Sequence, residues 1–209
     1  MGLFSSESYK QFANAINKDN PVVVQVLGIC SALAVTAKLQ PALVMGISVM
    51  FVTGFSNYII SLLRNFIPSN IRIIVQLVVI SFLVIIVDEL LKAFSYEISK
   101  QLSVYVGLII TNCILMGRLE AFAMANKPIP SLVDGLANGF GYAVILVIIA
   151  FVRELFGAGT IFDIRVIPDS FYAAGYMNNG MLLQPAAALI LVGCLVWMQR
   201  SRNKELIEE

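Results

Sequence analysis

Six apolar segments separated by more polar stretches constrain the fold of this chain more than any other feature. They run Pro21–Ala37, Pro41–Leu63, Ile73–Val87, Leu102–Met116, Leu136–Val152 and Met181–Met198. A helix needs about 20 mostly apolar residues to cross a bilayer. The second and sixth segments meet or approach this length, and the third does so if it continues past Asp88 to Leu91. Only 13% of the residues are charged, against about 25% in soluble domains. The sequence therefore predicts an all-α integral membrane protein.

Two of these segments are short and carry polar residues around a cysteine. The first contains Cys30 in QVLGICSALAVTA, and the fourth contains Cys113 in GLIITNCILMGR. Gly, Ser, Thr and Asn favour interruptions of a helix. In lipid, the backbone groups freed by such an interruption need partners inside the protein. We expect the first and fourth helices to be short or broken.

The chain also repeats its landmarks. Cysteines stand 83 residues apart, and in each half a glycine precedes an arginine by eighteen residues. The landmarks, in the same order in both halves, are Cys30, Gly46 and Arg64, and Cys113, Gly135 and Arg153. An odd number of crossings in each repeat inverts the second copy. We predict a membrane domain over residues 21–199 built from two inverted three-helix halves, 21–92 and 102–199. An interfacial segment, 1–20, precedes it, and a tail, 200–209, follows.

The basic residues predict the orientation. With six crossings, nine Lys and Arg fall on the side of the termini and five on the opposite side. The positive-inside rule then places both termini in the cytoplasm and the long loop Gly157–Gly180 outside, as an ordered cap or docking surface. A net charge of +1 provides no electrostatic surface for nucleic acid.

The repeat predicts that two of the three cysteines meet. Equivalent positions of broken helices in inverted repeats lie near the bilayer midplane, where such folds place their functional site. Cys30 and Cys113 are equivalent in this sense, whereas Cys194 stands in a plain apolar run and is expected to act as a small hydrophobe. That ordinary interpretation remains open for the other two as well.

If the paired cysteines do chemistry, two kinds of site are open. A buried thiolate is costly in hydrocarbon unless a metal neutralises it, and a cluster or tetrahedral metal takes four ligands. The chain has no His, and neither cysteine motif contains an acidic residue. A metal site would therefore take two further cysteines from another chain. A redox disulfide is the alternative and needs no partner.

Four stretches resemble a known family closely. They are LGICSALAVTAKL, RNFIPSNIRIIVQ, SVYVGLIITNCILMGRLEAFAM and PSLVDGLANGFGYA. The family comprises bacterial membrane subunits that include the D subunit of the sodium-translocating NADH:quinone oxidoreductase and the E subunit of the related Rnf complex. The resemblance extends from about Asn20 to Trp197.

This resemblance implies a six-helix subunit of the bacterial inner membrane, paired with a homologous E subunit of opposite orientation. It implies that Cys30 and Cys113 ligate iron, and that two cysteines of the E subunit complete a [2Fe–2S] cluster. The other members of the six-subunit complex include flavin-bearing subunits, and the cluster would pass electrons from a cytoplasmic flavin toward a flavin on the outer side.

Two carboxylates are candidates for an ion pathway. Asp88 lies at the end of the third segment and Asp134 at the entrance of the fifth. Intramembrane carboxylates in transporters are functional by default, but the ordinary interpretation, solvation at the headgroup boundary or capping of helices, is favoured for these two. The other charged residues at helix ends are expected to reach the interface or to pair with their neighbours, Arg118 with Glu120 and Arg153 with Glu154.

Small and polar neighbours surround the cysteines. Ser31, Thr111 and Asn112 are expected either to donate hydrogen bonds to cluster sulfurs or only to satisfy backbone groups at the breaks. Gly28 and Gly117 are expected to allow close helix approach.

The function predicted from these features is an electron-carrying membrane subunit of a redox-driven sodium pump. No NADH or quinone site is expected in this chain, because it lacks a dinucleotide-binding Gly-rich turn. The alternative is a secondary transporter or channel-like subunit without a redox role. The symmetric cysteine pair separates the two, because a transporter does not need it.

Overall fold

A computed structural model of the chain describes residues 20–94, 107–162, 164–165 and 179–202. Its α-helices, numbered in chain order, are α1 (Ile29–Val35), α2 (Leu39–Leu63), α3 (Arg72–Phe94), α4 (Cys113–Arg118), α5 (Pro128–Gly157) and α6 (Pro185–Arg202). A π-helical turn, Leu119–Ala123, continues α4, and short 3-10 helices, Ser69–Ile71 and Gly180–Leu183, precede α3 and α6. The strands β1 (Thr160–Ile161) and β2 (Ile164–Arg165) pair antiparallel.

Three predictions fall wholly or largely outside the described residues. They concern the interfacial segment 1–20, most of the loop 157–180 and most of the tail 200–209.

The described part of the chain is mostly helical, and α2, α3 and α5 are long and apolar enough to cross a membrane. The all-α membrane fold is confirmed at this level, and α6 is a shorter apolar helix. The seven residues of α1 span only about 10 Å at 1.5 Å per residue, and α4 begins after an interruption at Thr111 and Asn112. The first and fourth helices are thus short, as expected, while six crossings in two inverted repeats stay a prediction.

The fifth helix begins earlier than its apolar run indicates. Helix α5 starts at Pro128, eight residues before Leu136, with Pro in its first turn, where a fixed φ and a missing N–H are tolerated. Asp134 therefore lies inside the second turn of α5 and not at its entrance. An apolar run does not include the polar residues Ser131 and Asp134, although both are buried inside the protein.

The centre of the fold is the crossing of α2 and α5. These helices touch at Gly46 with Ala143, Met50 with Gly139, and Gly54 with Leu136. One sequence number rises while the other falls, so the two helices run antiparallel. A Cβ added to Gly139 would lie 2.6 Å from the Cα of Met50, so the backbones meet without room for a side chain.

The remaining long helix is far less covered. In its most apolar window 17% of α3 is buried, compared with 56% for both α2 and α5. Most of α3 is therefore left uncovered by the described residues.

Candidate cofactor site between the two cysteine helices

Cys30 and Cys113 lie at the same small cavity. Its volume is about 190 Å³, and it is lined by Gly28, Cys30, Ser31, Leu108, Thr111, Asn112 and Cys113. Cys30 is the second residue of α1 and Cys113 the first residue of α4. Both are free thiols with exposed side chains. The five residues predicted for this site all line the cavity: Cys30, Ser31, Thr111, Asn112 and Cys113. Cys194 lies on α6 and does not line it.

Two glycines allow the cysteine segments to approach each other. Gly28 precedes α1 with a φ of 77°, a left-handed conformation that glycine adopts without strain. A Cβ there would lie 2.7 Å from Ile114 Cδ1. A Cβ on Gly117 would lie 3.0 Å from Leu27 Cδ1. Each glycine thus packs against the segment that carries the other cysteine, as the sequence predicts.

Asn112 explains why the fourth helix restarts at the cysteine. Its Oδ1 accepts a hydrogen bond from the N–H of Ile114 at 3.2 Å, which is the usual role of an Asn at a helix N-cap. Its Nδ2 donates to Ser31 Oγ at 3.3 Å, and Ser31 Oγ donates to the carbonyl of Gly28 at 2.9 Å. Thr111 Oγ1 donates to the carbonyl of Gly107 at 3.2 Å. These three side chains therefore satisfy the backbone at the breaks, and their bonding to cluster sulfurs stays a prediction.

Sequence reasoning missed Tyr142, which completes this polar contact. The residue is fully buried on α5, and its hydroxyl lies 2.7 Å from Ser31 Oγ. Tyr142 shares one face of α5 with Asn138 and Ile149, both also buried. A polar aromatic residue on the buried face of a membrane helix was the signal that could have identified it, since a buried tyrosine hydroxyl usually has a partner.

The donor set at the cavity fits half of an iron–sulfur site. No group of three or more Cys, His, Asp or Glu side chains that could hold a metal occurs in residues 20–94, 107–162 and 179–202. A [2Fe–2S] cluster takes four cysteine thiolates, and the two exposed thiols at this cavity can supply two. Their exposure leaves access for ligands from outside the chain.

Asp134 is buried and ion-paired, so solvation by headgroups does not describe it. Only 6% of the residue is exposed. Arg118 binds both carboxylate oxygens, Nε to Oδ2 at 3.0 Å and Nη2 to Oδ1. Asn138 Nδ2 also donates to Oδ1, at 3.1 Å. The predicted pairing of Arg118 with Glu120 is wrong, because Glu120 pairs with Arg72 at 2.9 Å.

Asp88 is bound on one side only. Lys92 Nζ contacts Asp88 Oδ2 at 2.7 Å, one helical turn away, and also reaches Glu89 Oε1 at 2.9 Å. Asp88 Oδ1 is buried and has no hydrogen-bond partner among the described residues. Neither Asp88 nor Asp134 is among the residues that line the cysteine cavity.

Arg153 does not reach the interface as expected of a residue at a helix end. It is 1% exposed and donates to Thr36 Oγ1 at 2.6 Å, just beyond α1. It also donates to the carbonyls of Leu182 at 3.0 Å and Leu183 at 2.7 Å, ahead of α6. The neighbouring Glu154 accepts the N–H of Leu39 at 2.5 Å, at the start of α2. Arg153 and Glu154 thus bind backbone carbonyl and N–H groups near the ends of neighbouring helices, where such groups lack partners within the helix.

Long apolar helices around two short ones, with a pair of free thiols at one cavity, define a helical membrane protein. The chain belongs to the Rnf-Nqr family, described as Rnf-Nqr subunit, membrane protein, whose sequence pattern matches residues 8–196.

Its relatives include three proteins that are each named as the D subunit of a Na(+)-translocating NADH-quinone reductase. The protein from Psychromonas ingrahamii is 51% identical over 204 residues, which cover 98% of this chain and 97% of the relative. That from Pseudomonas aeruginosa is 54% identical over 195 residues, 93% of this chain and 87% of the relative. That from Shewanella putrefaciens is 54% identical over 193 residues, 92% of both.

Proposed function

We propose that this chain is the D subunit of a sodium-translocating NADH-quinone reductase and supplies two of four ligands to an intramembrane [2Fe–2S] cluster. Cys30 and Cys113 would each ligate iron, and a homologous E subunit of opposite orientation would provide the other two thiolates. The observation that carries the proposal is that these two thiols, far apart in sequence, line one cavity. Identity above half to proteins of that name over nearly the full chain supports the choice of complex.

The inverted repeat that this proposal needs is supported by a matched sequence pair. KLQPALVMG, residues 38–46, and KPIPSLVDG, residues 127–135, share Lys, Pro, Leu, Val and Gly at the same positions. With this offset, the contact of Gly46 with Ala143 corresponds to that of Gly135 with Gly54, and both contacts are present. An inverted repeat requires such reciprocal contacts across its axis.

The arginines at the ends of α2 and α5 make a second reciprocal pair of contacts. Arg64 Nη1 donates to the carbonyl of Asn126 at 2.9 Å, between α4 and α5. Arg153 Nη1 donates to Thr36 Oγ1 at 2.6 Å, between α1 and α2. Each arginine therefore holds the chain just beyond the cysteine helix of the other half. This arrangement is consistent with two halves that position their cysteines in the same way.

The residues of this chain would hold the cofactor and keep it away from water. One-electron transfer is the chemistry that a bound [2Fe–2S] cluster supplies. Cys30 and Cys113 would be its ligands here, while Ser31 and Asn112 fix the backbone next to them. The apolar side chain of Leu108 forms another wall of the cavity. The chain would lie in the bacterial inner membrane with both termini in the cytoplasm, beside flavin-bearing subunits of a six-subunit complex.

The test is the iron and acid-labile sulfide content of the purified complex. Cys30→Ala and Cys113→Ala should each remove the iron and sulfide assigned to this cluster, because each change leaves the four-thiolate ligand set incomplete. Cys194→Ala is the matched control and should leave both contents at the parental level. All three complexes should be compared at equal subunit stoichiometry, so that loss of assembly is not read as loss of iron.

Parental iron content in Cys113→Ala would contradict the proposed ligand. An iron-free parental complex in which Cys30 and Cys113 form a reversible disulfide would favour the alternative redox pair.

A further inference from the structure

The hydroxyl of Tyr142 lies at the junction of the two cysteine motifs and has no role in the function proposed above. Ser31 directly follows Cys30, and Asn112 directly precedes Cys113. Ser31 Oγ lies 2.7 Å from Tyr142 Oη and 3.3 Å from Asn112 Nδ2. One serine oxygen thus connects both cysteine motifs to α5.

The direction of these hydrogen bonds follows from counting protons. A serine hydroxyl has one proton and two lone pairs. Ser31 uses its proton in the bond to the carbonyl of Gly28, at 2.9 Å, and accepts from the Nδ2 of Asn112. The second lone pair is left for Tyr142, which must therefore be the donor in its bond to Ser31. The positive end of the Tyr142 O–H dipole points toward the cysteine motifs.

Packing holds the ring of Tyr142 in place, just as the hydrogen bond to Ser31 holds its hydroxyl. Tyr142 is fully buried, and a Cβ placed on Gly28 would lie 3.2 Å from Tyr142 Cε2. The same Cβ would lie 2.7 Å from Cδ1 of Ile114, the residue after Cys113. The backbone of Gly28 is therefore held between the α5 tyrosine and the second cysteine helix.

We propose that Tyr142 is a positioning residue that fixes the two cysteine motifs relative to each other and tunes the reduction potential of the cluster they bind. The proposal rests on the cluster assignment above. Because the reduced cluster carries one more negative charge, an O–H dipole whose positive end points toward Ser31, the residue after Cys30, would stabilise it. Loss of this hydroxyl should lower the potential while leaving the cluster bound.

The experiment is an EPR-monitored redox titration of the intact purified complex. Tyr142→Phe keeps the ring and removes only the hydroxyl. It should retain parental iron and lower the reduction equilibrium constant of the cluster by about threefold to tenfold, tenfold being about 59 mV for a one-electron couple. Tyr58→Phe, the same change on another membrane helix, is the control and should titrate like the parent.

A second variant separates tuning of the cluster from a general loss of packing. Ser31→Ala removes the oxygen that Tyr142 binds, so it should also lower the potential. The double variant Tyr142→Phe with Ser31→Ala should titrate like Ser31→Ala alone, because both changes break one connection and coupled residues are not additive. If Tyr142→Phe does not assemble, Ser31→Ala alone decides: a lowered potential supports the proposal, and an unchanged one overturns it.

The possible failures are distinguishable. A parental complex without iron overturns the cluster assignment and this inference together. Parental iron with an unchanged potential in Tyr142→Phe, or additive shifts in the double variant, overturns the inference alone.

Discussion

Asp134 and Arg118 form a buried ion pair. Their side chains are 9% and 14% exposed, and the guanidinium also lies over the ring of Phe122, 5.5 Å from its centroid. Two charges removed from water in this way need each other, and removing one leaves the other uncompensated at a cost of about 3–5 kcal/mol. Asp134 is therefore expected to stabilise the fold, whether or not it also takes part in ion transport.

Asp88 has the better geometry for binding an ion. Its Oδ2 contacts Lys92 at 2.7 Å, while Oδ1 is buried without a hydrogen-bond partner in the part of the chain that the structure describes. A hard cation takes oxygen ligands, and an unsatisfied carboxylate oxygen at the end of α3 gains from one. Sodium passage through this chain stays a prediction, and the two carboxylates test it differently.

We predict that Asp88→Asn raises the sodium concentration for half-maximal turnover more than it lowers turnover at saturating sodium. A lost binding contact is recovered by mass action, so the sodium titration of the purified complex measures it. Glu89→Gln is the matched control, because Glu89 shares Lys92 but is exposed. Asp134→Asn should instead lower the yield of assembled complex, since it breaks the pair with Arg118. A parental sodium titration in iron-replete Asp88→Asn excludes Asp88 from the pathway.

At the level of elements, the crossing of α2 and α5 holds the two halves together. Helices in lipid have little hydrophobic drive to associate, so close packing of small residues supplies much of the attraction. Gly46, Gly54 and Gly139 each lie against the opposite helix with no room for a Cβ. The same crossing places Tyr142 beside Ser31, which makes the cysteine site dependent on it.

We predict that Gly139→Ala destabilises the complex by about 1–3 kcal/mol, the usual cost of overpacking. The added methyl group would lie 2.6 Å from the Cα of Met50, and backbone cannot rotate away as a side chain can. Gly193→Ala on α6 is the control, because no described residue lies within 4 Å of its added Cβ. The thermal midpoint of the detergent-solubilised complex should fall for Gly139→Ala only. Equal midpoints in the two variants would show that the crossing is not tightly packed.

The breaks were predictable because local residue types cause them, whereas the meeting of the two cysteines was predictable only from the repeat. Asn112 caps the helix that it interrupts, and Gly28 adopts a positive φ that its lack of a side chain permits. Pro128 is also a local signal for the start of α5. The length of the apolar run does not show this start, because the first turns of the helix contain polar residues. The positions of the helix breaks and the residues beside the thiols could therefore be predicted from local sequence.

The partners of the charged residues were not predictable, because tertiary packing chooses them. Arg118 binds a carboxylate sixteen residues away and not Glu120 two residues away. Arg153 binds acceptors before α2 and before α6, which no periodicity brings together. Tyr142 likewise finds Ser31 only through the packing of α5 against α1 and α4.

At the scale of the whole molecule, the buried arginines change how the charge count is interpreted. The charge count places Arg118 and Arg153 in loops on opposite sides of the membrane, yet both make their bonds inside the protein. Removing one from each side leaves the same excess of four on the side of the termini. The predicted cytoplasmic location of the termini does not depend on these two residues.

We predict that reporters fused after Pro68 and after Gly159 lie on opposite sides of the membrane. Pro68 follows α2 and Gly159 follows α5, and each helix is long enough to cross. Because α2 and α5 run antiparallel at their crossing, their C-terminal ends emerge on opposite faces. The positive-inside rule adds the sign: the fusion after Pro68 should report the cytoplasm, that after Gly159 the outside, and one after residue 204 the cytoplasm. Paired phosphatase and fluorescent-protein fusions measure this. Reversed signals at all three sites would overturn the orientation alone, whereas equal signals after Pro68 and Gly159 would overturn the antiparallel crossing on which the inverted repeat depends.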